Sequence, residues 1–210
     1  MSLPNLTPST LADAVAHLCG RDPDLAAVVE RHGAPPAWQR PAGFATLVHM
    51  ILEQQVSLAS ARAAFERIRA AAGELNPEAL LSFDDADMLA FGFSRQKTRY
   101  ARLLAEAVRS GQIDLDGLSR LPDADARQAL TALTGIGPWT ADVYLLMALM
   151  RPDVWPAGDL ALAVAAQEVK GLATRPDPAA LTELGERWRP VRAVAARILW
   201  HHYLSTPRRR

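Results

Sequence analysis

Cysteine, lysine and strand-forming runs are what this 210-residue sequence has least of. A single cysteine, Cys19, excludes an internal disulfide framework and a four-thiolate zinc or iron–sulfur centre, so no cofactor and no iron–sulfur cluster is expected. Lys97 and Lys170 are the only lysines, which leaves chemistry based on an amine nucleophile two side chains to draw on. An excess of either charge is missing too. The 23 basic and 23 acidic side chains cancel, so no global positive field advertises a nucleic-acid partner, and any such binding falls to a few arginines and backbone amides. No apolar stretch approaches a membrane span, and the N-terminus lacks the charged-then-apolar layout of a signal peptide. A cytoplasmic protein without a membrane partner is the expectation.

Half of the residues are apolar, enough to bury a sizeable core in one large domain or two small ones sharing an interface. Alternating Val/Ile/Thr/Tyr runs do not occur, whereas Ala, Leu, Arg and Glu recur at helical spacing. The pattern predicts an all-α protein. Its helices fall near 10–18, 22–32, 42–54, 57–72, 76–83, 85–91, 94–110, 114–120, 123–133, 138–150, 159–170, 177–188 and 190–204, with a break near Gln55-Val56. Start signals accompany several of them: Ser9-Thr10, Asn76-Pro77, Ser94 and Asp177-Pro178. The proline-rich stretch Ala34-Pro35-Pro36-Ala37-Trp38 reads as a short connector between apolar helices, and the only low-complexity segment is the terminal Arg208-Arg209-Arg210.

Residues 133–141, Leu-Thr-Gly-Ile-Gly-Pro-Trp-Thr-Ala, are the most informative stretch. Gly135 and Gly137 can take backbone angles closed to other residues and let another backbone come close. Pro138 then suits the first turn of a helix, where its missing N–H costs nothing. The free N–H groups of such a helix start, at its positive dipole end, form a seat for a phosphate oxygen, and a seat of this kind reads no base sequence. An ordinary helix–glycine–helix turn has the same local pattern. Further on, Trp155-Pro156-Ala157-Gly158-Asp159-Leu160 places Asp159 at the N-cap or first turn of an apolar helix. Two readings stand side by side for it: a capping side chain, or an ionised carboxylate facing whatever the hairpin holds.

Taken together, these segments resemble the helix-hairpin-helix DNA glycosylases, and among them most closely the alkylbase enzymes of the 3-methyladenine DNA glycosylase II type. The hairpin Leu133–Ala141 matches the family pattern, and Asp159 stands at the spacing of the family's catalytic aspartate after a Gly/Pro loop. The segment 47–57, which ends Gln54-Gln55-Val56-Ser57, resembles a family helix whose loop enters the DNA minor groove. Trp188-Arg189-Pro190-Val191-Arg192, with Trp200, resembles the C-terminal helix. The likeness runs from about residue 40 to 204.

The resemblance implies a single glycosylase unit of two helical subdomains flanking a cleft. One spans about 42–133, the other about 1–41 plus 134–210, and no N-terminal β-rich domain of the longer bacterial enzymes precedes them. It implies Asp159 as the catalytic anion and Trp139 and Trp200 as base-pocket walls, against the plainer reading of both tryptophans as core. It also implies DNA contacts at Gly135, Gly137, Thr140, Gln55 and Ser57, with Gln55 either the wedge that fills the vacated stack or an exposed loop glutamine. In relatives that also cleave the strand, a lysine stands where this chain has Trp139, so a monofunctional enzyme using water is expected. The expected partner is double-stranded DNA with damaged bases, bound by a monomer. Phe91–Arg99 resembles a loop–helix entry that could meet a phosphate, although Arg99 and Arg102 read equally as a solvated basic face. His17, His32 and His49 stand apart, and His201 and His202 point to different helix faces, so no side-chain metal site is expected. The hairpin's backbone carbonyls remain able to hold a monovalent cation, as in many such hairpins. Enzymes for other damaged or mismatched bases, a non-catalytic DNA-gripping module and a helical scaffold are the alternatives.

Overall fold

Short polar side chains and prolines set most of the helix starts, because each offers what the first helical turn lacks. In the computed structural model, which describes residues 4–207, twelve α-helices and one 3₁₀ turn form, with no strand among the described residues. Arg208–Arg210 lie outside the described residues. The helices are α1 (Pro8–Arg21), α2 (Pro23–His32), α3 (Phe44–Glu53), α4 (Leu58–Ala72), α5 (Pro77–Ser82), α6 (Asp85–Phe91), α7 (Arg95–Arg109), α8 (Asp123–Thr131), α9 (Pro138–Met147), α10 (Leu160–Lys170), α11 (Pro178–Glu186) and α12 (Arg192–Ser205).

Three expected boundaries move for local reasons. The first helix begins at Pro8, because Thr7 caps it in a reciprocal box with Thr10. The segment 114–120 narrows to a 3₁₀ turn, Gly117–Arg120, as Asp114 Oδ1 accepts the Gly117 N–H at 2.9 Å. The last helix begins at Arg192 rather than 190, after Val191 at its N-cap.

The chain divides into two units. The first takes the residues up to Gln39 and those from Leu145 onward, and it is built around α12. Six α12 residues, Ala193, Val194, Ala195, Ala196, Ile198 and Leu199, are completely buried, and the three alanines let α1, α2 and α10 pack closely on it. Arg197 on the same helix is also fully buried. It donates to three carbonyls, Ala37 at 3.0 Å, Ala193 at 3.0 Å and Leu146 at 2.7 Å, which ties the proline-rich connector to α12. Burial pushes the Arg197 guanidinium down to about 10. A second polar knot closes the unit at Asp22, the N-cap of α2, whose carboxylate accepts from Lys170 Nζ at 2.9 and 3.0 Å and from Trp188 Nε1 at 2.8 Å.

The second unit runs from Arg40 to Tyr144. Its centre is α3, whose Leu47, Val48, Met50 and Ile51 are fully buried as the helix packs on α4 and α7. Lys97 Nζ caps the end of α3 by donating to the Leu52 carbonyl at 2.6 Å, and burial pushes the Lys97 amine down from its ordinary value. Arg127 on α8 pairs with the buried Asp142 of α9 at 2.6 Å. The resemblance implies a division near 134; the contacts divide the chain inside α9, between Tyr144 and Leu145. The cause is the hairpin, which is built into the second unit by the bonds described next.

Candidate active site

In the second unit, α3 stops at Glu53, and residues 54–57 form a tight turn before α4. Gln55 stands at its tip, exposed, with φ +57°. A left-handed backbone at a residue other than glycine carries strain, and such strain collects at functional positions. Two apolar neighbours are also out in solvent, Val56 at 46% and Leu58 at 67% exposure. This is an apolar tip around one glutamine, the form a wedge needs. Ser57 is the N-cap of α4, its Oγ accepting the Ser60 N–H at 3.2 Å. Beside the tip, the Gln54 amide points the other way. Its Nε2 donates to the Gly135 carbonyl at 2.9 Å and to Thr140 Oγ1 at 3.2 Å, so the turn and the hairpin form one braced element.

The hairpin's two glycines have different reasons. Gly135 has φ +95°, and a Cβ there would fall onto the Tyr100 side chain, 2.7 Å from its Cβ. Gly137 has no such limit: a Cβ would meet nothing within 4 Å. Only Gly135 is required by the fold; Gly137 leaves open space just ahead of α9, where the helix presents its first-turn N–H groups. Thr140, expected to touch DNA, is buried at 3% exposure with its hydroxyl on Gln54, because α9 turns that face inward. Trp139 is half-buried, neither a core residue nor a surface one.

In the first unit, Asp159 is the N-cap of α10, and its Oδ1 accepts the Leu162 N–H at 2.7 Å. The same oxygen accepts the indole N–H of Trp200 at 3.0 Å. Trp200 is therefore held by its Nε1 and buried to 7% exposure. Gly158 before the aspartate has open space around it, and Leu160 after it is 61% exposed, so the carboxylate sits at an accessible helix start.

Trp38 was not a sequence candidate. Its ring stands edge-on to Trp200, with centroids 6.5 Å apart, and its backbone is left-handed at φ +46°. The one signal in the sequence was a tryptophan just after Pro35-Pro36-Ala37; what pins this segment is Arg197 on the Ala37 carbonyl. Three of the histidines meet in the first unit. Packing of α2 on α12 sets the His32 ring 6.1 Å from His201 and 5.6 Å from His202. Among the described residues, no group of three or more His, Cys, Asp or Glu side chains could hold a metal ion.

Both lysines are engaged. Lys97 is bonded to the Leu52 carbonyl, and Lys170 is buried between Asp22 and Asp24.

The model of one protein family, HhH-GPD superfamily base excision DNA repair protein, matches residues 48–190. The chain is 29% identical over 199 residues to DNA-3-methyladenine glycosylase 1 of Schizosaccharomyces pombe, covering 91% of this chain and 87% of that protein. It is 35% identical over 206 residues to a Mycobacterium tuberculosis protein named "Probable bifunctional transcriptional activator/DNA repair enzyme AlkA". It spans 39% of that protein's length, and 64% of the length of a Bacillus subtilis relative. Among solved structures, the S. pombe 3-methyladenine DNA glycosylase Mag1 in complex with abasic DNA matches with a TM-score of 0.82 at 30% identity, over 90% of this chain and 95% of that one. A DNA-3-methyladenine glycosidase from Bacillus halodurans matches with a TM-score of 0.78 at 28% identity, over 98% and 93% of the two chains.

Proposed function

The chain belongs to the HhH-GPD superfamily of base excision DNA repair proteins, and we propose that it is a monofunctional, monomeric DNA glycosylase releasing alkylated bases such as 3-methyladenine from double-stranded DNA. The observation that carries this reading is Asp159, a carboxylate at an accessible helix start whose Oδ1 is fixed from two sides. The names of the relatives from S. pombe and B. halodurans support the substrate class.

The first task is to hold the strand. The glycine-spaced hairpin offers first-turn N–H groups of α9 to a phosphate, and the exposed Gln55 tip fills the stack when a nucleotide leaves it. Phosphate contacts of this kind position the duplex without reading its sequence, which suits an enzyme that must search all DNA. A neutral chain needs such local contacts, since its net charge attracts nothing.

The second task is bond cleavage. As the bond from C1′ of the sugar to the base nitrogen breaks, its electron pair leaves with the base and the sugar gains oxocarbenium character. A fixed anion lowers that barrier most because it needs no reorganisation when charge develops. Asp159 supplies the anion and orients a water, whose oxygen bonds to C1′ while its proton passes to the carboxylate. Alkylation makes the base cationic, a good leaving group and a good partner for an indole face, worth about 0.5–2 kcal/mol. The half-buried Trp38, edge-on to the buried Trp200, offers such a face in the first unit, and the half-buried Trp139 offers another in the second. The strand stays intact because both lysines are held by other partners, Lys97 at the Leu52 carbonyl and Lys170 at Asp22 and Asp24.

The test is to incubate the protein with methylated duplex DNA and identify the released bases. The expected products are free 3-methyladenine and unbroken strands bearing abasic sites, absent when Asp159→Asn replaces the wild type. Release of an oxidised or mismatched base instead would move the enzyme to another specificity.

A further inference from the structure

The second unit also carries a groove of about 670 Å³ between α6 and α7. On α6 it is lined by Asp85, Ala86 and Leu89. Its floor is Phe93, and its other wall is the face of α7 that carries Arg95, Arg99 and Arg102 at helical spacing. Leu89 is 70% exposed, the most exposed large apolar side chain among the described residues. Together with Phe93 it gives the groove an apolar stretch beside the arginines.

The charges say what kind of partner fits. Arg102 is already clasped, its Nη1 2.6 Å from Asp85 and its Nη2 3.0 Å from the Phe83 carbonyl. Arg95 and Arg99 are exposed and have no hydrogen-bond or ion-pair partner among the described residues. Two uncompensated guanidiniums in a chain of net charge zero are a local excess, while Glu106 closes the far end of the groove with the opposite sign. Guanidinium forks suit carboxylates, and an apolar floor next to them suits one bulky side chain. A duplex backbone has phosphates for the arginines but nothing to place on Leu89 and Phe93.

We propose that this groove is a docking site for an acidic peptide segment of a partner protein, with its carboxylates on Arg95 and Arg99 and a large apolar side chain between Leu89 and Phe93. The proposal does not rest on the proposed base release. Glu106 gives it direction, with the acidic residues of the segment lying at the Arg95 end.

The experiment is fluorescence polarisation with a labelled synthetic peptide of about ten residues, rich in aspartate around one phenylalanine. The wild-type protein should bind it with a Kd of roughly 1–100 μM that weakens with salt, as expected for a small charged interface. Leu89→Ser, or Arg95→Glu with Arg99→Glu, should weaken binding about tenfold or more, as should replacing the peptide's phenylalanine by serine. Leu89→Ser should leave base release from a short methylated duplex unchanged. Equal binding by variants and wild type, or by the serine peptide, would overturn the proposal. So would an arginine double variant that lost duplex affinity and salt dependence while still binding the peptide, which would make this face a DNA-backbone contact.

Discussion

The indole N–H of Trp200 and the backbone N–H of Leu162 meet on the same oxygen of Asp159, at 3.0 and 2.7 Å. The cap and the candidate catalytic anion are therefore one side chain in one conformation. A capping geometry fixes the carboxylate's position, and the indole fixes it from a second helix, α12. Preorganisation of this kind is what makes an anion effective at a developing cation.

Asp159→Asn should leave the fold and DNA binding in place and remove base release. The amide oxygen still accepts from Leu162 and Trp200, so the α10 cap survives. The lost anion should slow single-turnover release by about 100-fold or more. Thermal melting and duplex affinity should stay near wild type. Near wild-type release would reduce Asp159 to a helix cap.

Trp200→Phe keeps an aromatic ring but deletes the N–H. Hydrogen bonds to charged groups contribute about 1.5–3 kcal/mol, so release should fall by about tenfold with little loss of binding. In a cycle with Asp159→Asn, the two losses should not add, because Trp200 acts through the carboxylate. Additive losses would show that the indole works independently.

The two hairpin glycines should separate cleanly. Gly135→Ala forces a side chain into the Tyr100 ring at φ +95° and should destabilise the protein by about 1–3 kcal/mol. Gly137→Ala meets no protein atom within 4 Å, so stability should hold while affinity for all duplexes falls alike. Denaturant melts and binding isotherms on two unrelated sequences distinguish these outcomes.

Borohydride should trap no covalent adduct between the wild-type protein and damaged DNA. Trapping needs an imine, and both lysines are held by other partners, Lys97 at Leu52 and Lys170 at Asp22 and Asp24. An adduct that disappeared on replacing either lysine would contradict the monofunctional reading.

Asp22 predicts a pH dependence. Burial alone would raise its carboxyl, but the hydrogen bonds from Lys170, Trp188 and Leu25 outweigh burial and hold it below its usual 3.8. The folded value is depressed, so its stabilisation is present above about pH 3.8 and is lost as pH falls through the lower folded value. Asp22→Asn removes one of the two carboxylates that hold the buried Lys170, leaving Asp24, and should cost about 1–3 kcal/mol near neutral pH. Melts from about pH 7 down to pH 2 should show the gap to wild type shrinking in acid.

The sequence by itself determined the helices, the Gly-Ile-Gly-Pro hairpin and the capping position of Asp159, because caps, breakers and apolar periodicity act within a few residues. The same locality explains the absence of an amine at Trp139, which is plain from residue identity. Tertiary structure decided what each of these touches. No spacing rule joins Gln54 to Gly135, 81 residues apart, or Asp159 to Trp200, 41 residues apart. Thr140 shows the limit: its motif position suggested a DNA contact, but α9 turns it inward, where its hydroxyl oxygen accepts from Gln54 Nε2. Trp38 shows the converse, an aromatic with no motif around it, placed against Trp200 because buried Arg197 binds the neighbouring Ala37 carbonyl. Long-range pairs depend on how whole helices pack, and packing is a property of every buried side chain at once.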